Sequence, residues 1–531
     1  MVDTSPPNGM AGGSNSAPDE ESGSYTPPSS YPPGNSSEAS AHEPVLETLH
    51  SPAKEAGPLL MRQGSQIDRS PSLALRMHKG HARTLILSGW QSGVFGSCCN
   101  MSSTILGTGI LALPLTGVWL GLIPMISMLL ILAVANAYSC RLLLLVGAFT
   151  RSYTFEDATE RAMGPRTRSF LDVCIFTRSL IVLASILIFT SDFLFSLGNA
   201  LVHWLGLGII LDKNLLIIVV TALVIYPLAL MRSMNSLALF SCFKLVCLWL
   251  FAAVVVYLSV ENMAAGKQGQ YKVVASPSWH WLRALPIAAF SYHSHVNLFP
   301  IYAEVKAATL RKGSQMITSA YILCSILFIL VATFGYLQFP ESTYGNFLRN
   351  FDDVMGDFNG DIIHVLRASF LVVTVFTFPM QLFAARIALH ALAWPHQEKM
   401  SAFQSFGITT LMTAGALLVS LVTDDVALVL GIGGSIFTSY ISMILPAQIY
   451  LRVLNMRAQK DGGLLDPCDR WTDNVDLERL VNDEAETQVA SAFEIAMRPE
   501  QIKYEMVKAS VLLLTGLVVG VVGFGATLWF R

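Results

Sequence analysis

Apolar residues run along this chain in blocks of about 20, the length a helix needs to cross a hydrocarbon core. Eleven blocks can be drawn: 92–117, 121–148, 171–198, 214–231, 238–260, 284–303, 314–339, 361–391, 403–422, 425–450 and 508–530. They predict spans 1 to 11 of an all-α polytopic membrane protein. Two blocks are interrupted at their centres. Span 1 reads Asn100-Met-Ser-Ser-Thr-Ile-Leu-Gly107-Thr108-Gly109-Ile-Leu-Ala-Leu-Pro114, and span 6 reads Phe290-Ser-Tyr-His293-Ser-His295-Val-Asn297-Leu-Phe-Pro300-Ile-Tyr-Ala-Glu304. Non-helical backbone survives at membrane depth only where it is enclosed by protein or lines a cavity. Paired breaks in the first span of each half point to the substrate site of a repeat-built secondary transporter.

Composition agrees with the pattern. The 531 residues are 53% hydrophobic and 13% charged, against about 25% charged in soluble domains. The net charge of −3 is near neutral and by itself says nothing about nucleic acid, but no basic domain exists to bind it, so a nucleic-acid partner is not expected. With the N-terminus in the cytosol, Lys and Arg in cytosolic loops number 16 and in outer loops 5. That excess follows the positive-inside tendency.

The segment 1–77 is rich in Pro, Ser and Gly (Tyr25-Thr-Pro-Pro-Ser-Ser-Tyr-Pro-Pro-Gly34) and too poor in apolar residues to offset its chain entropy, so it is expected to be a disordered cytosolic arm. It lacks the basic-then-apolar order of a signal peptide. The expected organisation is therefore the arm 1–77, a transporter core 78–450, a cytosolic loop 451–507 and an eleventh span in 508–531. Glu55-Ala-Gly-Pro-Leu59-Leu60 fits an acidic dileucine signal for a sorting adaptor, and Asp461-Gly-Gly-Leu-Leu465 is a shorter lookalike. Plasma and lysosomal or vacuolar membranes both stay open. Seven of the eight cysteines fall in apolar spans and Cys468 in a polar loop. Their spacing matches no metal site, so no metal or cofactor is expected. No outer loop carries a cysteine or a glycan acceptor; Asn35-Ser-Ser37 falls in the arm.

Glycine at 107 and 109 lets a helix unwind, and the amides that begin a half-helix attract an anion through orphan donors and the aligned dipole. An amino acid offers its α-carboxylate to such amides and its ammonium to nearby carbonyls. The bland alternative is that small residues simply allow close helix packing. In span 6, His293 could line the site or carry a proton, His295 less readily, since histidine can stay neutral in the membrane and exchange protons. Both are also compatible with a satisfied structural histidine. Glu304 is expected to pair with Lys306 or a loop cation. Asp192 in span 3 needs a partner or a watery cavity; Arg178 lies nearer the cytosol in the same span. Lys244 in span 5 is shallow enough to snorkel to water. Thr374 and Thr377 in span 8 can back-bond to their own helix.

Four blocks make the chain resemble the amino acid/auxin permease family, near its sodium-coupled neutral amino acid transporter branch: Asn100 to Leu111, Phe290 to Lys306, Phe376-Thr-Phe-Pro-Met-Gln-Leu-Phe-Ala-Ala-Arg386, and Gly431-Ile-Gly-Gly-Ser435 running to Leu445-Pro446. With Phe334-Gly-Tyr336 and Asp192, the similarity covers about 90 to 450. It implies eleven spans, a five-plus-five inverted repeat of the leucine-transporter type, and alternating access around a site between spans 1 and 6. The substrate would meet Ser103, Thr104, Gly107, Thr108, Gly109, Ser291, Tyr292 and His293, and a coupling ion would involve Asn100, Ser103, Asp192, His293 and Thr377. Sodium-coupled relatives usually carry Asn four residues before the first-span glycine, where this chain has Ser103. A hydroxyl in place of that amide oxygen favours proton coupling or facilitated movement over sodium.

The resulting expectation is secondary transport of L-amino acids. A sodium-coupled symporter and an amino acid sensor signalling through its cytosolic arm are the alternatives. An enzyme is disfavoured because no metal cluster or nucleophile–base pairing stands out.

Overall fold

The computed structural model describes residues 93–230, 237–266, 269–305, 308–341, 343–351, 358–394, 397, 400–460 and 499–529. The arm 1–77 with its dileucine motif and Asn35, and also Lys306, Cys468 and the 461–465 string, lie outside these residues.

Eight helices are long and apolar enough to cross a membrane, and Val94–Ile105 with Thr108–Leu120, bent by 50°, makes a ninth. The shorter apolar helix Lys213–Ala229 and the interrupted pair His280–Ser291 and Leu298–Ala303 bring the described spans to eleven, as the apolar pattern predicts. Equivalent spans of the two halves pack together: 1 with 6, 2 with 7, and 3 with 8, the last most extensively. Span 3 is a single helix, Pro165–Trp204, much longer than its apolar block. Span 10 contains two wide π-type stretches, Gly433–Thr438 and Tyr440–Ile444, a feature that often marks functional sites because it re-aims side chains. Its helix continues to Lys460, and that of span 11 begins at Pro499.

Span 6 is kept against span 10 by glycine. A Cβ on Gly434 would lie 2.6 Å from the carbonyl carbon of Pro286, a backbone atom that no rotamer change can move. The interrupted span therefore leans directly on the π-bulged one.

Between spans 2 and 3 the short helix Phe155–Met163 starts at Thr154, whose hydroxyl accepts from the Asp157 amide at 3.1 Å. Asp157 is buried, and burial pushes its carboxyl up to about 6 although Arg161 and Arg168 oppose the rise. A folded-state value above the unfolded one means that ionisation destabilises the fold, so stability should rise as pH falls from 7 towards 4. Asp157→Asn removes that dependence. Its melting temperature should exceed the wild type's above pH 6, by the equivalent of roughly 2–3 kcal/mol at most, and the gap should close towards pH 4. A gap that is constant with pH would show that the carboxyl does not titrate in this way.

Candidate functional site

The two breaks meet. Helix Val94–Ile105 ends at Leu106 and Gly107 (φ −114°, ψ −161°), after which a tight turn, Thr108–Ala112, leads into Leu113–Leu120. Gly107 is extended, so the unwinding draws on no left-handed torsion. What glycine supplies is space. A Cβ on Gly107 would meet nothing within 4 Å, whereas one on Gly109 would lie 3.1 Å from Ser291 Cβ and 3.2 Å from Ser291 Cα. Glycine at 109 thus brings the span 1 backbone onto the last turn of His280–Ser291. The first amides of the turn at Thr108 and Gly109 have no partner within their own helix.

The span 6 break, Tyr292 to Asn297, is held from behind. Tyr321 Oη of span 7 donates to the Tyr292 carbonyl at 3.0 Å and bonds Ser294 Oγ at 3.0 Å. Tyr292 turns its ring to span 7, with its hydroxyl 3.3 Å from Ser325 Oγ and its ring centroid 5.0 Å from that of Phe328. His293 faces the other way. Its Nδ1 lies 2.7 Å from Ser442 Oγ in the second π stretch, and its buried Nε2 has no partner. His295 is fully buried, with neither ring nitrogen bonded.

A cavity of ≈ 30 Å³ opens between the breaks and spans 3 and 8, lined by Thr104, Arg178, Ser179, His293, Asn297 and Gln381 among others. That volume holds a water or two, so an amino acid needs the spans to part. A smaller cavity of ≈ 10 Å³ lies between spans 1, 5 and 8, with Ser103, Ser241, Lys244 and Thr377 in its wall. Lys244 does not snorkel. It is 8% exposed, and its Nζ donates to the Ser103 carbonyl at 3.0 Å. Thr377 back-bonds to the Val373 carbonyl at 2.6 Å while sharing that cavity wall.

The remaining candidates sit at the two ends of the bundle. Asn100 is turned to Glu304, donating to its Oε2 at 2.9 Å and tying the start of span 1 to the end of span 6. Asp192 has its partner: Oδ1 lies 2.8 Å from Lys213 Nζ, and Oδ2 accepts from Asn346 at 2.8 Å. Lys213 also reaches Asp424 at 2.8 Å. Of the expected site residues, then, the fold brings Thr104, Gly107, Thr108, Gly109, Ser291 and His293 together around the breaks and Ser103 with Thr377 in the second cavity. It leaves Tyr292 behind the site, and Asn100 and Asp192 at the ends. Arg178, Gln381 and Lys244 are lining residues to which the apolar pattern gave no role.

The transmembrane amino acid transporter family matches residues 90–466, most of the chain. The chain belongs to this family. Amino acid transporter AVT6E of Arabidopsis thaliana is 25% identical over 68% of this chain and 76% of its own length, and AVT6B of the same plant is 24% identical over 61% and 74%. A solved structure of Mhp1 in its inward-facing conformation, 13% identical, superposes with a TM-score of 0.50 over 83% of this chain and 91% of that one. That likeness bears on the fold alone, and it agrees with the inverted repeat of the leucine-transporter type. The protein is thus a multi-pass membrane transporter rather than an enzyme.

Proposed function

We propose that the protein is a secondary transporter of L-amino acids that works by alternating access and is driven by protons rather than sodium. The amides at Thr108 and Gly109 receive the substrate α-carboxylate, the carbonyls of the span 6 break receive its ammonium, and spans 1 and 6 move with it. The observation that carries the sodium-independent reading is the Lys244 ammonium on the Ser103 carbonyl. By the family resemblance Ser103 and Thr377 are the residues from which a sodium site would be built, and an ammonium held on the Ser103 carbonyl supplies the positive charge beside them. An ammonium can also release its proton and recover it, which links the site to protons.

Counterflow of labelled amino acids into proteoliposomes tests the transport claim without assuming a driving ion. At least one L-amino acid is expected to exchange with its unlabelled form preloaded inside. Saturable binding without exchange of any member of the panel would refute transport.

A further inference from the structure

Arg178 is a buried cation with no carboxylate beside it among the described residues. It is 8% exposed in the first half of the long helix of span 3. Its Nε donates to Thr438 Oγ1 at 3.2 Å, and its guanidinium carbon lies 5.2 Å from the centre of the Phe290 ring. Among the described residues no carboxylate pairs with it, whereas Arg168, Lys213 and Lys508 each have one. A hydroxyl and an aromatic face compensate a buried charge only in part. The guanidinium has five donors in a planar fork suited to a carboxylate, and Thr438 takes one of them.

The neighbourhood has the chemistry of an anion subsite. Arg178 lines the ≈ 30 Å³ cavity together with Ser179, Asn297 and Gln381, all able to donate a hydrogen bond, and with Thr104, whose hydroxyl donates to the Asn100 carbonyl of its own helix. His293 lines it too, with an unpartnered, buried Nε2. The cavity touches both breaks, since Thr104 precedes Gly107 by one helical turn and His293 and Asn297 belong to the span 6 break. An amino acid seated by its α-groups at the breaks would extend its side chain into reach of Arg178.

We propose that Arg178 and the polar wall around it form a second carboxylate subsite, and that the transporter prefers amino acids with a carboxylate side chain, the dicarboxylic L-amino acids. This deepens the transport reading and rests on it. Partner removal explains the direction of preference: a neutral side chain leaves the guanidinium buried without a counter-charge, whereas a carboxylate neutralises it. A small inorganic anion such as chloride would meet the same need, and the test must separate the two sources.

The measurement is counterflow by reconstituted full-length protein, with L-glutamate and L-aspartate compared with L-glutamine, L-asparagine and L-alanine as competitors. The wild type is expected to favour the dicarboxylic pair over their amides by about tenfold or more, the worth of a charge-assisted hydrogen-bonded pair. Arg178→Gln should lose that preference, its ratio of glutamate to glutamine exchange falling to about one, and Arg178→Lys should keep part of it. The wild-type comparison stands even if a variant fails to fold. Exchange of neutral amino acids with no preference for the dicarboxylic ones overturns the subsite and leaves the transport reading intact. Absence of exchange for every amino acid overturns both. Replacing chloride by gluconate should change nothing; a wild-type rate that falls without chloride, and an Arg178→Gln rate that does not, would assign the site to chloride and overturn the dicarboxylic preference.

Discussion

Gly109→Ala is expected to reduce amino acid uptake by about tenfold or more, and Ser291→Gly in the same chain to restore much of it. The added methyl group would meet the Ser291 side chain, with its Cβ at 3.1 Å and the Cα behind it at 3.2 Å. Forcing an extra carbon into a packed contact costs about 1–3 kcal/mol, and about 1.4 kcal/mol corresponds to a factor of ten. The cost falls where the two broken spans must hold their amides and carbonyls in register, so the loss should appear in transport before it appears in folding. The rescue separates two explanations. Ser291→Gly removes Cβ and Oγ, the two nearest atoms struck, and leaves the backbone of span 6, with its Cα at 3.2 Å, in place. Failure of the double variant to recover uptake, with both proteins equally stable, would mean that Gly109 serves the backbone conformation rather than the contact.

Asp192→Ala is expected to destabilise the protein markedly. The carboxylate is almost completely buried, and both oxygens are in use, on Lys213 and on Asn346. Removing one partner of a buried pair costs about 3–5 kcal/mol. Lys213 is 21% exposed and keeps Asp424, so roughly half of that is the realistic loss. The pair joins span 3 to the start of span 4, and Asn346 precedes the turn Phe347–Phe351. Loosening it should therefore also expose this end of the bundle to thiol reagents at an introduced cysteine. Equal melting temperatures for wild type and Asp192→Ala would remove the network from the account.

The eleven spans were legible because each is an apolar block of the required length, and the breaks because Gly, Pro and His interrupt two of them. The contact between the breaks was not legible. It depends on which turn of span 6 faces Gly109, a long-range register that neither segment encodes by itself. Lys244 illustrates a second limit. Its depth allowed snorkelling, but a helix that is apolar all round gives no signal of its rotation about its own axis, and the rotation here aims Lys244 inward at Ser103. Arg178 illustrates a third. The helix of span 3 begins at Pro165 and not at the edge of its apolar block, and its two neighbours, Thr438 and Phe290, come from distant spans. Asn100 pairs with Glu304, 204 positions away, which a reading of local sequence assigns to neither.

The most direct test of sodium-independent, proton-linked transport is gradient-driven accumulation in proteoliposomes. The wild-type protein should concentrate a labelled amino acid under an imposed pH gradient with sodium replaced by choline, and gain nothing from a sodium gradient at equal pH. Lys244→Ala should lose the accumulation while its counterflow continues. Accumulation by the wild type that follows the sodium gradient and ignores the pH gradient would contradict the account.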